Sequence, residues 1–252
     1  MSKRRGASAA SRDRGNVLAF EGWLERRHGD VAAARDGGPD ATVGERGKGG
    51  KGERTRARLL VAAARQLASA GYAQMGIGEI CEAAGVTRTA LYRHFPSKKE
   101  LVLALVAEFQ QFLGDALREG RRPARAGTDD AVLATNLAYV RLYRAHARLV
   151  HAVQEVRHLL DDAQRMKFEM NEQWARKVAL AIDAGAATGR ALPRDKASRE
   201  AMAKAYALEA MVDGFLAEWI LRRNPHLAAL HLSDEDIARV LTEAWRGVLQ
   251  RR

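Results

Sequence analysis

The sequence predicts an all-α protein, with a small helix-turn-helix domain followed by a larger helical bundle. From Glu53 onward, apolar residues recur at helical spacing in nearly every segment, and no convincing run of alternating β-branched residues is present. The stretch GYAQMGIGEICEAAGVTRTALYRHFPSKKEL encodes two short helices separated by a glycine turn. A chain of 252 residues with 47% hydrophobic residues is long enough for one small and one ordinary domain.

The excess positive charge of the chain is concentrated near its N-terminus. The formal net charge is +11, and eight of these eleven charges belong to the first hundred residues. A basic N-terminal region favours a polyanionic partner such as double-stranded DNA. A generally basic proteome with a charged tail explains the same distribution, so composition alone leaves both interpretations open.

Several protein classes are excluded or disfavoured by composition. Cys81 is the only cysteine, which excludes an intramolecular disulfide framework and a multi-cysteine zinc site. No apolar run reaches the length of about 18 residues that a membrane span requires, and no apolar segment of a secretory signal follows the basic N-terminus. We therefore expect a soluble cytoplasmic protein that does not enter the membrane.

Residues 1–52 are predicted to be a disordered basic N-terminal extension, because they are rich in glycine, alanine and charged residues. Asn16 to His28 are an exception, since their apolar residues allow a short amphipathic helix that needs a surface to dock on. The extension is interpreted either as an arm that reaches along DNA phosphates or into a minor groove, or as an untethered tail.

Residues 53–100 are predicted to be the DNA-binding domain. Its three helices span Glu53 to Ala70, Ile77 to Ala84, and Arg88 to His94. Gly71 and Gly85 end the first two helices, Thr87 caps the third, and Leu91 and Phe95 face inward. Two short helices joined by a glycine turn are typical of the helix-turn-helix, in which the second helix enters the major groove.

Residues 101–252 are predicted to form a larger helical domain, which the family resemblance described below implies to be an effector-binding and dimerisation domain. Ser97 and Glu100 form a capping box that begins a helix running to Gly120. Further helices are predicted over Asp129 to His158 with one break, Asp161 to Thr188, Asp195 to Arg222, and Ser233 to Leu249. Large apolar residues in this domain are core or line a pocket for a small lipophilic ligand. The candidate pocket residues are Tyr143, Val150, Trp174, Val178, Met211 and Phe215.

Two apolar stripes near the C-terminus fit a contact between two copies of the chain. They lie on Leu208 to Leu221 and on Ile237 to Leu249, and they either form a four-helix interface or cover the core of their own domain. The residues expected at the contact are Trp219, Leu241 and Trp245.

The helix-turn-helix region resembles a known family in motif and spacing. The matching residues are Arg58-Leu-Leu-x-Ala-Ala-x-x-x-Leu-x-x-x-Gly-Tyr72, Ile77, Glu79, Ile80, Ala84-Gly85-Val86, Leu91-Tyr92, His94-Phe95-Pro96-Ser97-Lys98 and Leu101. This pattern resembles the TetR family of bacterial transcriptional regulators over about fifty residues. The rest of the chain matches only in layout. The resemblance implies a homodimer joined through the last two long helices. Because a two-fold dimer places two reading helices on one face of the DNA, we expect it to bind a pseudo-palindromic operator.

The resemblance also implies roles for residues of the reading helix and its surroundings. Arg88 and Thr89 would read base edges, and Tyr92 would contact a phosphate or a thymine methyl group. Arg93 and His94 would lie along the DNA backbone, and Lys98 would hold a phosphate. Departures from the family pattern are Gly76 and Gly78, where a hydroxyl cap and an arginine are frequent, and Ala90, where threonine is common. They predict fewer direct contacts with the operator.

Two functions follow as hypotheses. The first is a DNA-binding transcriptional regulator, expected to be a repressor, that is released by a small lipophilic effector. The alternative is a non-switching DNA-binding protein whose helical domain serves only dimerisation or partner binding. No cofactor, metal or enzymatic activity is predicted, because no catalytic constellation occurs and a Glu-x-x-His spacing such as Glu155 to His158 does not by itself make a di-metal site.

Overall fold

The computed structural model describes residues 20–28, 43–122, 129–185 and 197–249, and every regular element within these residues is helical. The all-α prediction is therefore confirmed. The elements in chain order are α1 (20–28), α2 (Val43–Gln74), α3 (Ile77–Ala84), α4 (Arg88–His94), α5 (Lys98–Arg121), α6 (Asp129–Ala145), α7 (Ala147–Leu159), α8 (Asp161–Gly185), α9 (Arg199–Leu216), a π-helical turn (Ala217–Leu221), α10 (Pro225–Ala228) and α11 (Asp234–Leu249).

The N-terminal part of the chain contains more helix than its composition predicted. Residues 20–28 are helical, and α2 begins at Val43 rather than at Glu53. Glu53 lies 3.2 Å from His28 of α1, and Gly50 is buried. These tertiary contacts stabilise helix in a segment whose own propensity is low. The rest of the extension, residues 1–19 and 29–42, lies outside the described residues.

The helix α1 packs against α2 and α5. Phe20 and Leu24 are fully buried, and the Phe20 ring lies 5.3 Å from the rings of both Phe109 and Phe112 of α5. Glu21, also buried, accepts two hydrogen bonds from Arg65 of α2, one of them 2.7 Å long from Nε to Oε1. The amphipathic helix predicted between Asn16 and His28 thus has a surface to dock on.

The chain divides into two compact units that do not coincide with the predicted boundary at residue 100. The first unit comprises the residues up to Phe112 together with Arg148–Ala163, and the second comprises Leu113–Ala147 and Gln164–Arg252. Almost all of α7 therefore belongs to the first unit. This helix has a continuous buried face, formed by Leu149, Val150, Ala152, Val153 and Val156.

The second unit is built around α6, α8, α9 and α11. Helix α11 packs along α6, where the buried Asn136 donates a 3.0 Å hydrogen bond from Nδ2 to Thr242 Oγ1. Buried aliphatic residues of α8 and α9, most of them alanines, form another part of the core, namely Ala175, Ala179, Ile182, Ala201 and Ala205. The single break predicted within Asp129 to His158 is confirmed at His146. Predicted ends at Thr188 and Asp195 lie outside the described residues.

None of the helices that the structure describes is long and apolar enough to cross a membrane.

Candidate nucleic-acid interface

The turn between α3 and α4 has the conformation that the sequence predicted. Gly85 adopts a left-handed conformation (φ 61°, ψ 43°), and its N–H donates to Glu82 O at 3.1 Å. This backbone geometry favours glycine, which has no Cβ to clash. Thr87 then caps α4, because its Oγ1 accepts a 3.2 Å hydrogen bond from Ala90 N. The predicted stop at Gly85 and the predicted cap at Thr87 are both confirmed.

Buried residues on both short helices fix the orientation of α4. Leu91 is fully buried and Phe95 is 2% exposed, so α4 is anchored by its inner face. On α3, the buried residues are Ile80, Cys81 and Ala84, whereas Ile77 is only partly buried. Because α4 is held from within, its outer side chains have a defined direction.

The predicted base-reading residues share the outer face of α4. The exposed ones are Arg88, Thr89, Tyr92 and Arg93, with Tyr92 48% exposed. Exposed arginines and an exposed aromatic residue on a buried scaffold suit a helix that enters a DNA groove. His94 and Lys98 are partly buried at the end of α4 and the start of α5. The contacts of all these residues with DNA remain predictions.

Lys98 is positioned by the residues that precede α3. Its Nζ lies 3.4 Å from Ala73 O and 4.8 Å from the centroid of the Tyr72 ring. The ammonium group is therefore held beside the end of α2, and Lys98 itself is the first residue of α5, where free backbone N–H groups favour an anion. A DNA phosphate is the anion that this placement suits.

His94 lies among cationic residues that the sequence analysis had not linked to it. The pKa of His94 is lowered, first by burial and then by the charges of Arg56 and Arg93. The Arg56 guanidinium lies 4.6 Å from the centroid of the Phe95 ring, which fixes an α2 cation next to α4. Arg56 was missed because its place beside α4 depends on tertiary packing. The available signal was the basic run Arg54, Arg56 and Arg58.

At both glycines that depart from the family pattern, a neighbouring side chain occupies the space that a side chain at that position would take. At Gly76, which begins α3 without a side-chain cap, the carboxylate of Glu79 occupies the space of a side chain: a Cβ there would lie 1.8 Å from Glu79 Oε2. At Gly78, a Cβ would lie 3.2 Å from Nη2 of Arg88. A glycine inside a helix costs about 1 kcal/mol relative to alanine.

The predicted pocket residues do not all lie in one unit. Val150 belongs to the first unit, and Tyr143, Trp174, Val178, Met211 and Phe215 belong to the second. Within the second unit, the Tyr143 ring lies 5.9 Å from the Tyr139 ring, and the Trp174 ring lies edge-on, 5.6 Å from that of Trp245. Trp174 and Val178 pack on the alanine-rich core of α8 and α9.

A mostly buried polar cluster in the second unit was missed by the sequence analysis. Tyr139 donates a 2.5 Å hydrogen bond to Asp213 Oδ1, and Lys167 Nζ lies 3.0 Å from Asp213 Oδ2 and 2.7 Å from Glu209 Oε1. Asn171 donates to the same Glu209 oxygen at 2.7 Å. Burial, followed by the Asp213 charge, raises the pKa of Tyr139 well above its ordinary value. Polar pairs at i and i+4 on α8 and α9 were the available signal.

The predicted contact residues of a dimer differ in their accessibility. Leu241 is 3% exposed in α11, which packs along α6, so its side chain covers the core of its own unit. The expectation that Leu241 reaches a second copy is therefore not supported by its position. Trp219 and Trp245 are partly buried, and the Arg144 guanidinium lies 4.3 Å from a Trp219 ring centroid.

The Glu155-x-x-His158 pair lies on the surface of α7. Glu155 and His158 are exposed, and Glu155 Oε1 lies 3.6 Å from Nε2 of the exposed His151.

Comparison with known proteins places the helix-turn-helix region in a family. The model of bacterial regulatory proteins of the tetR family matches residues 59–105. The HTH-type transcriptional activator FasR of Mycolicibacterium smegmatis is 39% identical over 67 residues, which are 27% of this chain and 31% of FasR. The HTH-type transcriptional regulator TtgR of Pseudomonas putida is 46% identical over 54 residues, or 21% of this chain and 26% of TtgR. The chain thus spans less than a third of the length of either relative, and both are named as transcriptional regulators rather than enzymes.

Solved structures extend the likeness to the fold of the chain. A TetR-family transcriptional regulator from Streptomyces coelicolor has a TM-score of 0.56 at 23% identity, over 78% of this chain and 95% of its own. Salmonella enterica GusR has a TM-score of 0.59 at 22% identity, over 78% of this chain and 96% of its own. The motif and the family match therefore show a helix-turn-helix region of the tetR family of bacterial regulatory proteins at residues 59–105, and the solved structures show a shared fold over most of the chain.

Proposed function

We propose that this chain is a transcriptional regulator, expected to act as a repressor, that binds a pseudo-palindromic operator as a homodimer and is released by a small lipophilic effector. The observation that carries DNA binding is the outer face of α4, where Arg88, Thr89, Tyr92 and Arg93 are exposed above the buried Leu91. Arginine on such a helix can read guanine with two hydrogen bonds. The excess positive charge of the first hundred residues supports the same function.

Selection from a randomised duplex library tests DNA binding without knowledge of the operator. The full-length protein is expected to enrich a sequence with two related half-sites, about 34 to 36 Å apart on one face of the DNA. Its affinity for that site should exceed its affinity for a scrambled duplex by at least about a thousandfold. Equal binding to both duplexes would leave only non-specific electrostatic attraction and would contradict the proposal.

The proposed homodimer uses the outer faces of α9 and α11, because the inner faces are buried within the protomer. Exposed small or apolar residues recur at helical spacing on each helix: Ala203, Ala207, Ala210 and Gly214 on α9, and Val240, Ala244 and Gly247 on α11. At Gly214 and Gly247, no heavy atom lies within 4 Å of the place a Cβ would take. Small side chains allow two helices to approach closely, which supports a four-helix contact between two copies.

The proposed effector site lies among the aromatic residues of the second unit. Tyr143, Trp174 and Phe215 supply apolar surface, and the cluster of Tyr139, Lys167 and Asp213 supplies polar groups. Apolar walls with a few polar groups are the usual composition of a small-molecule site. Release requires only that the ligand prefers the conformation with lower DNA affinity.

Thermodynamic reciprocity tests the effector. Lipophilic compounds and acyl thioesters are screened by thermal shift, and each one that binds is titrated with and without the selected DNA site. A hundredfold loss of DNA affinity, roughly 2.7 kcal/mol, requires an equal loss of ligand affinity when DNA is bound. Ligands that bind without changing DNA affinity would contradict switching and favour the alternative, a DNA-binding protein whose helical domain serves only dimerisation or partner binding.

A further inference from the structure

Gly78 is the second residue of α3, and its backbone conformation does not require glycine. Among the glycines that the structure describes, those with positive φ are Gly71 and Gly85. Gly78 instead lies in ordinary helix, where glycine is among the least favourable residues, and α3 has only eight residues. The glycine therefore weakens a short helix beside the proposed DNA-reading residues without serving a turn.

The space that Gly78 leaves open is taken by the guanidinium of Arg88. A Cβ at Gly78 would lie 3.2 Å from Arg88 Nη2, which is closer than Cβ atoms ordinarily come to a neighbour. Arg88 is the first residue of α4, so this contact joins the first turns of both helices. Cys81, almost one turn after Gly78, is also near this charge: burial raises the pKa of its thiol, and Arg88 opposes that rise.

We propose that Gly78 is a specificity-determining residue, because it lets the Arg88 guanidinium lie across the first turn of α3 and so sets where that guanidinium meets DNA. The inference rests on the proposed DNA-binding function and deepens it. Recognition of guanine by arginine depends on two parallel hydrogen bonds, and a small displacement of the guanidinium breaks at least one of them. A side chain at position 78 displaces the guanidinium and changes base preference, although residue 78 itself reads no base.

A double-mutant cycle on the full-length protein tests this role. The preferred site is first selected from a randomised duplex library with the wild-type protein. Affinities for that site and for a scrambled duplex are then measured at one salt concentration for Gly78→Leu, Arg88→Ala and the double variant. Each single variant is expected to lower the ratio of the two affinities by about tenfold or more. The double variant should lose no more than Arg88→Ala alone, because both changes remove the same contact.

Two further glycine variants serve as controls. Gly114 lies in α5 with no heavy atom within 4 Å of a Cβ position, so Gly114→Ala makes the same chemical change without displacing a neighbour. This variant should keep the wild-type affinity ratio. Gly78→Ala moves Arg88 less than leucine does and should lower the ratio by a smaller factor, and it replaces Gly78→Leu if that variant does not fold by circular dichroism.

The possible results separate this inference from the proposed function. If folded Gly78 variants keep the wild-type ratio of specific to scrambled-duplex affinity while Arg88→Ala loses it, the inference about Gly78 is overturned. The proposed DNA-binding function is then unaffected. Losses that multiply in the double variant would also overturn the inference, because Gly78 would then act by a route other than Arg88. A wild-type protein that enriches no sequence from the library would overturn the proposed function and the inference with it.

Discussion

His28 Nε2 lies 3.2 Å from Glu108 Oε1, so that α1 and α5 are joined by an ion pair with little solvent exposure. The other ring nitrogen, Nδ1, lies 3.2 Å from Glu53 Oε2 of α2. Arg27, the residue before His28, also contacts Glu108, with 3.1 Å between Nε and Oε2. One histidine thus connects three helices of the first unit, and its charge affects how firmly they are held together.

The stabilising effect of His28 is expected to depend on pH. Its pKa is raised above 6.5, chiefly by the hydrogen bond with Glu108, with burial opposing and Glu53 adding to the rise. Burial raises the pKa of Glu108, but His28, Arg27 and Arg56 outweigh it, and the pKa is lowered. The contribution of His28 to the free energy of unfolding is therefore fully present below the pKa that the histidine has in the unfolded chain. It is lost as pH rises through the higher pKa of the folded state. The contribution of the Glu108 carboxylate to the free energy of unfolding is lost as pH falls through its lowered pKa.

Denaturant unfolding across a pH series checks this prediction. His28→Asn should lower the free energy of unfolding by about 1 to 2 kcal/mol near pH 5 to 6, and by less near pH 9. His151→Asn is the matched control, because His151 is 61% exposed in its contact with Glu155. A difference between wild type and His28→Asn that does not change with pH would contradict the ionic role of His28.

Docking of α1 is expected to depend on Phe20, which is fully buried against α5. Phe20→Ala should weaken docking by up to about 3 kcal/mol, limited by the free energy of undocking itself, since α1 can detach without global unfolding. Limited proteolysis with trypsin measures this, because undocking exposes the bonds after Arg26 and Arg27. Cleavage at these two sites should be faster than in wild type and in the exposed control Glu25→Ala. Unchanged cleavage would show that Phe20 does not hold the helix.

Arg88 and Lys98 are expected to make different kinds of contact with DNA. Arg88→Ala should cost roughly 1 to 3 kcal/mol on the selected site and relax preference at one base position. Lys98→Ala should weaken binding to all sequences alike and reduce the salt dependence, because its contact is with phosphate. Titrations of the selected and the scrambled duplex at several salt concentrations distinguish the two. An unchanged preference ratio in Arg88→Ala would remove Arg88 from base reading.

The outer face of α9 is expected to hold two copies of the chain together. Ala210→Arg places a charge in that contact, where an unpaired charge is strongly unfavourable, and should raise the dimer dissociation constant by at least about tenfold. Ala107→Arg is the matched control on an exposed position of α5. Sedimentation equilibrium at micromolar concentration without DNA measures both. A wild-type monomer under these conditions would contradict the homodimer.

The helix-turn-helix was predictable from sequence because its determinants are local. Gly85, Thr87 and the spacing of Ile80, Leu91 and Phe95 each act within a few residues of their own position. Turn geometry, capping and burial all favour the same structure there, so one short stretch was enough to identify it.

The N-terminal helix and the polar cluster depend on contacts between distant residues. Glu21 binds Arg65, which is 44 positions away, and Lys167 binds Glu209 and Asp213 on another helix. Leu241 shows a different difficulty, because an apolar stripe indicates that a face is buried but not which surface covers it. These features required the tertiary structure.

The docking of α1 also affects how the chain tolerates truncation. Phe20 and Trp23 cover Phe112, and Phe20 also covers Phe109, one turn away on the same helix. A chain cut to begin at Val43 would keep the whole helix-turn-helix but would expose these two phenylalanines to water. Contiguous exposed apolar surface promotes aggregation. The smallest well-behaved form of this protein is therefore set by Phe20 and not by the first residue of its DNA-reading unit.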